Sequence, residues 1–151
     1  MKIFIAADHR GAEIKNRLIK YLKNNEIDVM DIGIPNHEKD DYPDFAFKLG
    51  SLINKYEHSL GILICSNGIG MSIAANKVKG IRCARVCNVD DAFKGKNHNG
   101  CNVIAIGSNI SEETIKEIVD TFISTKEVSE QRHLNRVEKI INYENGAYNE
   151  L

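Results

Sequence analysis

Residues 61–77 read GILICSNGIGMSIAANK. The apolar run Ile62-Leu63-Ile64 ends in Cys65. Ser66 and Asn67 follow, then Gly68 and Gly70, then a helix-like segment from Met71 to Asn76. That order predicts a buried strand, a tight glycine turn and a helix start. Glycines let a backbone approach a ligand closely, and the N–H groups at a helix start offer an anion site. A thiol at the lip of such a turn lies beside the positive end of a helix, where the thiolate is favoured. The stretch therefore predicts that Cys65 is a proton-transfer base beside an oxyanion- or phosphate-binding turn.

Upstream, Lys2–Ala7 reads as a first strand that runs into Asp8-His9-Arg10-Gly11. Charge directly after a buried strand suits the carboxyl edge of an open α/β sheet, where ligands bind. Asp8 can equally serve as the cap of the next helix. That helix is expected from Ala12 to about Asn24, with Ile14, Leu18 and Leu22 on its buried face. Ile27–Ile32 reads as a second strand, closed by Gly33 and Pro35, and a polar loop runs from Pro35 to Asp41. Asp41-Tyr42-Pro43 opens a helix striped by Phe45, Leu49, Leu52, Ile53 and Tyr56, with the proline in its first turn. Tyr42 is either a partly buried anchor or a reach into a site.

Downstream, Ile81–Val86 reads as a fourth strand, Val89 to about Lys96 as a short helix, and Asn97-His98-Asn99-Gly100 as a tight polar connection. Asn102–Ile106 is a fifth strand ended by Gly107. Ser111 caps a helix with Glu112 and Glu113 in its first turn, and Ser129 caps a last helix through Ile141. Five strands alternating with helices, with no repeat and no long linker, predict one domain over residues 1–151. The sheet is parallel, with helices on both faces.

Composition sets bounds on function. A net charge of -1 implies no broad field for nucleic acid or anionic membrane. No apolar run approaches membrane-spanning length, and MKIFIAAD is too short a stretch for a signal peptide, so a cytoplasmic protein is expected. Cys83, Cys87 and Cys101 form no Cys-x-x-Cys pair with one another or with Cys65, and they read as small buried hydrophobes. Gly68-Ile69-Gly70 lacks the dinucleotide pattern, and no P-loop is present.

In a parallel sheet, Asp8, His9 and Cys65 share the carboxyl edge, whereas His98 precedes its strand and lies at the opposite edge. If both act in one site, a second subunit supplies His98; otherwise it is an exposed loop histidine. Arg132 and Arg136, four apart on a helix, either hold a dianion between them or face solvent with Glu130 or Glu138. Lys15, Lys20 and Lys23 read as surface lysines.

Taken together, five ordered blocks closely resemble the ribose-5-phosphate isomerase B family, which includes galactose-6-phosphate and allose-6-phosphate isomerases. They are Asp8-His9-Arg10-Gly11, Asp41-Tyr42-Pro43, Ile64 through Lys77, Asn97-His98-Asn99 with Asn102-Val103, and Arg132-His133 with Arg136-Val137-Glu138. The resemblance covers almost the whole chain. It implies a Rossmann-like three-layer α/β/α sandwich with a five-stranded parallel sheet. It also implies a homodimer, or a tetramer built from it, with composite active sites, no metal, no cofactor, no nucleic-acid partner and no membrane.

The implied reaction interconverts ribose 5-phosphate and ribulose 5-phosphate through a cis-enediolate. By position, His98 opens the sugar ring with Asp8, and Cys65 moves the proton from C2 to C1. Gly68 and Gly70 present amides to the enediolate. His9, Arg132 and Arg136 contact phosphate, and Tyr42 and Asn99 position the sugar. Many members carry Gly-Thr where Ser66-Asn67 stands; Asn67 can hydrogen-bond at O1 and O2 but is not the same acid–base relay, so the proton transfer between them falls to Ser66 or a water. Many carry arginine at Asn109, and some use a glutamate at the position of Met71 in place of the cysteine. Other aldose phosphates, such as allose or galactose 6-phosphate, and a non-catalytic sugar-phosphate-binding module are the alternative readings.

Overall fold

The computed structural model describes residues 1–33 and 40–148. In chain order it contains β1 (Lys2–Ala7), α1 (Ala12–Asn24), β2 (Val29–Asp31), α2 (Tyr42–Lys55), β3 (Ser59–Cys65) and α3 (Ile69–Ala75). These are followed by β4 (Cys83–Val86), α4 (Val89–Asn99), β5 (Val103–Gly107), α5 (Glu112–Ser124) and α6 (Gln131–Glu144). The strands form one parallel sheet in the order β2-β1-β3-β5-β4.

Successive strand residues point to opposite faces, and both faces are apolar. Ile62, Ile64, Ile104 and Ile106 pack with Leu18 and Leu22 of α1, Ala92 of α4, and Ile115, Ile118 and Phe122 of α5. Leu63, Cys65, Val103 and Ala105 pack with Ala46, Leu49 and Ile53 of α2 and with Met71, Ala74 and Ala75 of α3. Each fully buried Leu or Ile contributes about 1.5–3 kcal/mol, so these two layers hold the helices on the sheet. The result is a three-layer α/β/α sandwich, and α6 docks beyond it on α4 through buried His133 and Val137. Among the described residues, no helix is long and apolar enough to cross a membrane.

The connection after β1 crosses to the α1 face and the connection after β3 to the α3 face. Between these neighbouring strands the sheet opens a crevice at its carboxyl edge, the topological switch point. Ala7 pairs with Ile64, so Asp8 and Cys65 leave the sheet side by side at that crevice.

Several expected boundaries move. β2 is confined to Val29–Asp31. Ile81 and Arg82 precede β4, because the Arg82 N–H donates to the Asn102 side chain at 2.9 Å instead of joining the ladder there. Asn97, His98 and Asn99 are not a connection but the last turn of α4, which runs on until left-handed Gly100 stops it. Glu130, not Ser129, caps α6. Lys15 is not a surface lysine: it is buried, pairs with Asp31 Oδ2 at 2.5 Å and donates to the Gly33 carbonyl at 2.8 Å. One ammonium thereby ties the first turn of α1 to the end of β2. Most of the expected polar loop 35–41 lies outside the described residues.

Candidate active site

Cys65 is the last residue of β3, 5% exposed, and its carbonyl accepts the Ser108 N–H at 2.7 Å. The turn then folds over the sulfur, and the Gly68 N–H donates to Cys65 Sγ at 3.2 Å. Gly68 has φ 77, a left-handed conformation costly for any side chain, and a Cβ there would sit 3.0 Å from the Ala105 carbonyl. A Cβ on Gly70 would lie 2.6 Å from Cζ of Tyr42, so the phenol ring rests directly on the turn.

The amides at the start of α3 divide into two sets. The Gly68 N–H goes to sulfur, and the Ile69 N–H goes to Asn67 Oδ1 at 3.0 Å. The Gly70 and Met71 N–H groups meet no acceptor among the described residues. Asn67 is thus a capping side chain whose amide nitrogen is left over, and Ser66 beside it is exposed.

Asp8 is buried, and its Oδ1 accepts the N–H groups of Arg10 and Gly11 at 3.0 and 3.1 Å. It braces the start of α1, and the other carboxylate oxygen meets no protein donor among the described residues. His9 is exposed at the same edge. Asp8, His9, Tyr42, Cys65, Ser66, Asn67, Gly68 and Gly70 therefore gather around one crevice.

The other candidates gather elsewhere. His98 and Asn99 end α4, and Arg132 and Arg136 lie on α6. The His98 ring stacks on the His133 ring with centroids 4.3 Å apart and an interplanar angle of 12°. Arg132 pairs with Glu130 at 2.8 Å, whereas Arg136 meets no carboxylate among the described residues. The Glu130 carboxyl is held below its ordinary value, first by the Arg132 hydrogen bond and charge, then by His133 and His98. Burial keeps the His133 imidazole below its ordinary value, and His98 and both arginines add to this. Gly61 pairs with Val103 and Cys65 with Gly107, so about 13 Å of strand separates the two edges. One copy of the chain therefore presents two half-sets: a thiol and an acid at one edge, a histidine and two arginines at the other.

Three contributors stand out only in the structure. Arg85 of β4 donates from Nε to the Asn67 carbonyl at 2.9 Å, which pins the turn from the neighbouring strand. An arginine inside a short strand was the available signal. His133 and Lys15 were visible in sequence only as a motif neighbour and a helix-face lysine. A cavity of 610 Å³ between α6 and the β4 edge touches Ile81, Cys83, Ile140 and Tyr143, and of the candidates only Asn99. Among the described residues, no three His, Cys, Asp or Glu side chains converge as a metal-ligand set.

Together, the sheet order and the crevice define a Rossmann-like α/β/α protein with its ligand edge at the β1/β3 switch point. Comparison with known proteins narrows this. Residues 3–140 match the ribose/galactose isomerase family model. A probable ribose-5-phosphate isomerase B of Mycoplasma pneumoniae is 43% identical over 145 residues, covering 94% of each chain. The solved ribose-5-phosphate isomerase B of Clostridium thermocellum superposes with a TM-score of 0.91 at 39% identity, covering 97% of this chain and 99% of that one. The Mycoplasma genitalium enzyme, solved with bound ribulose-5-phosphate, gives 0.89 at 39% identity over 95% and 96%. The chain belongs to the ribose/galactose isomerase family, that of ribose-5-phosphate isomerase B.

Proposed function

We propose that this protein interconverts ribose 5-phosphate and ribulose 5-phosphate, with Cys65 as the base. The observation that carries the reading is the turn itself. A buried thiol receives a backbone N–H beside Asp8, and the next two helical amides, Gly70 and Met71, have no acceptor. Cys65 sulfur takes the C2 proton, the C–H electrons become the C1=C2 bond, and O1 gains the negative charge. The unpartnered amides are donors aimed at such a developing oxyanion. A proton passes from O2 to O1 through the Ser66 hydroxyl or a water, with the Asn67 amide hydrogen-bonding alongside, and the sulfur returns its proton to C1.

The furanose must first open, and phosphate must be held. In this reading both tasks draw on a second copy in a homodimer. Its His98 joins Asp8 at the sugar ring, and its Arg132 and Arg136 join His9 at the phosphate, where guanidinium geometry suits the dianion. Tyr42 and Asn99 position the sugar. The two half-sets support this, since neither alone has both a base and a phosphate clamp. Exposed apolar side chains on α3 (Ile69, Ile73), α4 (Val89, Phe93) and α6 (Leu134, Ile140) offer a face for the pairing.

The test is ketose formation from ribose 5-phosphate by chelator-treated protein, with Cys65→Ala alongside. Conversion by the wild type and none by the variant is expected. Conversion by both would remove Cys65 as base. If the wild type converts only a six-carbon aldose phosphate, the substrate assignment changes and the mechanism stands. Tight binding of ribose 5-phosphate without turnover would make the protein a binding module.

A further inference from the structure

We propose that His133 is a positioning residue for His98, holding its ring by face-to-face stacking so that its nitrogens meet the sugar ring at the correct angle. The proposal rests on the reading of His98 as the ring-opening residue. His98 sits half-buried in the final turn of α4, two residues before left-handed Gly100. Two rings restrain it. Phe93, one helical turn and a half earlier, meets it edge-on, with centroids 6.0 Å apart at 74°. His133, from α6, lies flat against it at 4.3 Å and 12°. His133 is only 7% exposed, so it is the fixed member of the pair.

What fixes His133 is not a hydrogen bond at Nε2. That nitrogen is buried and, among the described residues, has no hydrogen-bond partner, the nearest carboxylate oxygen being Glu130 Oε2 at 3.9 Å. Leaving a ring nitrogen unpaired in a buried site is unfavourable. The contribution of His133 to its neighbour is accordingly its flat face. The charged groups around the pair are Glu130, Arg132 and Arg136; burial together with His98 and the arginines holds the His133 imidazole below its ordinary value. Ring opening is demanding of geometry: the anomeric O–H loses its proton as C1=O forms, the C1–O4 bond breaks, and O4 gains a proton.

The chemistry of the substrate pair supplies a selective readout. The aldose is a closed furanose that must open. The ketose has its carbonyl at C2 and its O5 esterified, so it cannot close a five-membered ring and enters the site open. In the reverse direction the open-chain aldose leaves the site and closes in solution, so a defect in ring opening slows the aldose-to-ketose direction more than the reverse. The ratio of the two initial rates at saturation is independent of how much of a variant is folded.

His133→Ala should lower the aldose-direction rate about tenfold while the ketose-direction rate stays within about twofold. His133→Phe, which keeps a flat ring, should restore most of the ratio. His98→Asn, measured in parallel, should show the same split or a larger one. If His133→Ala slows both directions equally or neither, or if His133→Phe behaves like His133→Ala, positioning by stacking is overturned. If His98→Asn itself slows both directions equally, the ring-opening reading of His98 fails, which is a separate result.

Discussion

Cys65, Cys83 and Cys101 are all buried, but only Cys65 receives a backbone N–H at sulfur among the described residues. Cys101 is pushed up to about 11 by burial, and burial pushes Cys83 higher still. Neither can supply a thiolate near neutrality. Replacing Cys65 with Ala should therefore reduce ribose 5-phosphate turnover by about 10³-fold, the middle of the range for a positioned acid–base group. Thiol alkylation should inactivate in step with one modified residue and be slowed by substrate. Half-buried Cys87 is the control, since Cys87→Ala should leave the inactivation rate unchanged.

His133 gives a second residue-level expectation. Its folded-state value lies below its ordinary 6.5, so the unfolded chain binds that proton more readily. Stability must then rise with pH across the window just below 6.5 and be lost as pH falls through it. Urea midpoints measured between about pH 7.5 and about pH 5 should show this slope, and His133→Phe should flatten it. An unchanged slope would mean that the group is not desolvated in the fold.

At the scale of elements, the turn between β3 and α3 is held from three sides: by Tyr42 against Gly70, by Arg85 on the Asn67 carbonyl, and by the Asn67 cap. Gly70→Ala would drive a Cβ into the Tyr42 ring. Tyr42 is 40% exposed and can swing away, so the melting temperature should hardly change while kcat/KM falls about tenfold through misplacement of the sugar. Unfolding of the whole protein by this substitution would show that the ring is structural instead. Lys15→Met leaves Asp31 without its cation at the α1–β2 junction. Since Asp31 is 31% exposed, the cost should be about 1–3 kcal/mol in urea unfolding, below that of a fully buried pair.

These elements also show what sequence could and could not disclose. The strand and glycine turn at 61–70 were legible because an apolar run, two glycines and a helical pattern follow one another with no competing signal. The end of α4 was not, because Asn97-His98-Asn99 has the composition of a loop, and only Gly100 terminates the helix. Lys15 was read as solvated because its partner Asp31 is on another element, and sequence spacing carries no information about that pairing. Turn chemistry, sheet-edge placement and helical spacing single out Cys65, Asp8, His9, His98 and the Arg132–Arg136 pair in the sequence, and the resemblance assigns their roles. The stacking of His133 on His98, the donation from Arg85 and the commitment of the Gly68 amide to sulfur are three-dimensional facts that no spacing rule contains.

At the scale of the whole molecule, the parallel sheet keeps Cys65 and His98 at opposite edges, about 13 Å of strand apart. A protein that needs both must bring two copies together, each giving one edge to the other. A C2 pairing does this twice, since whatever patch meets its complement once must meet it again. The account therefore makes a quantitative demand on mixtures of inactive subunits. When Cys65→Ala and His98→Asn proteins are mixed in equal amounts and allowed to exchange subunits, half of the dimers are hybrids. In each hybrid one site carries both lesions and the other carries neither. Ribose 5-phosphate turnover should rise from near nothing to about a quarter of the wild-type value. A mixture that exchanges subunits and stays inactive would contradict the composite site.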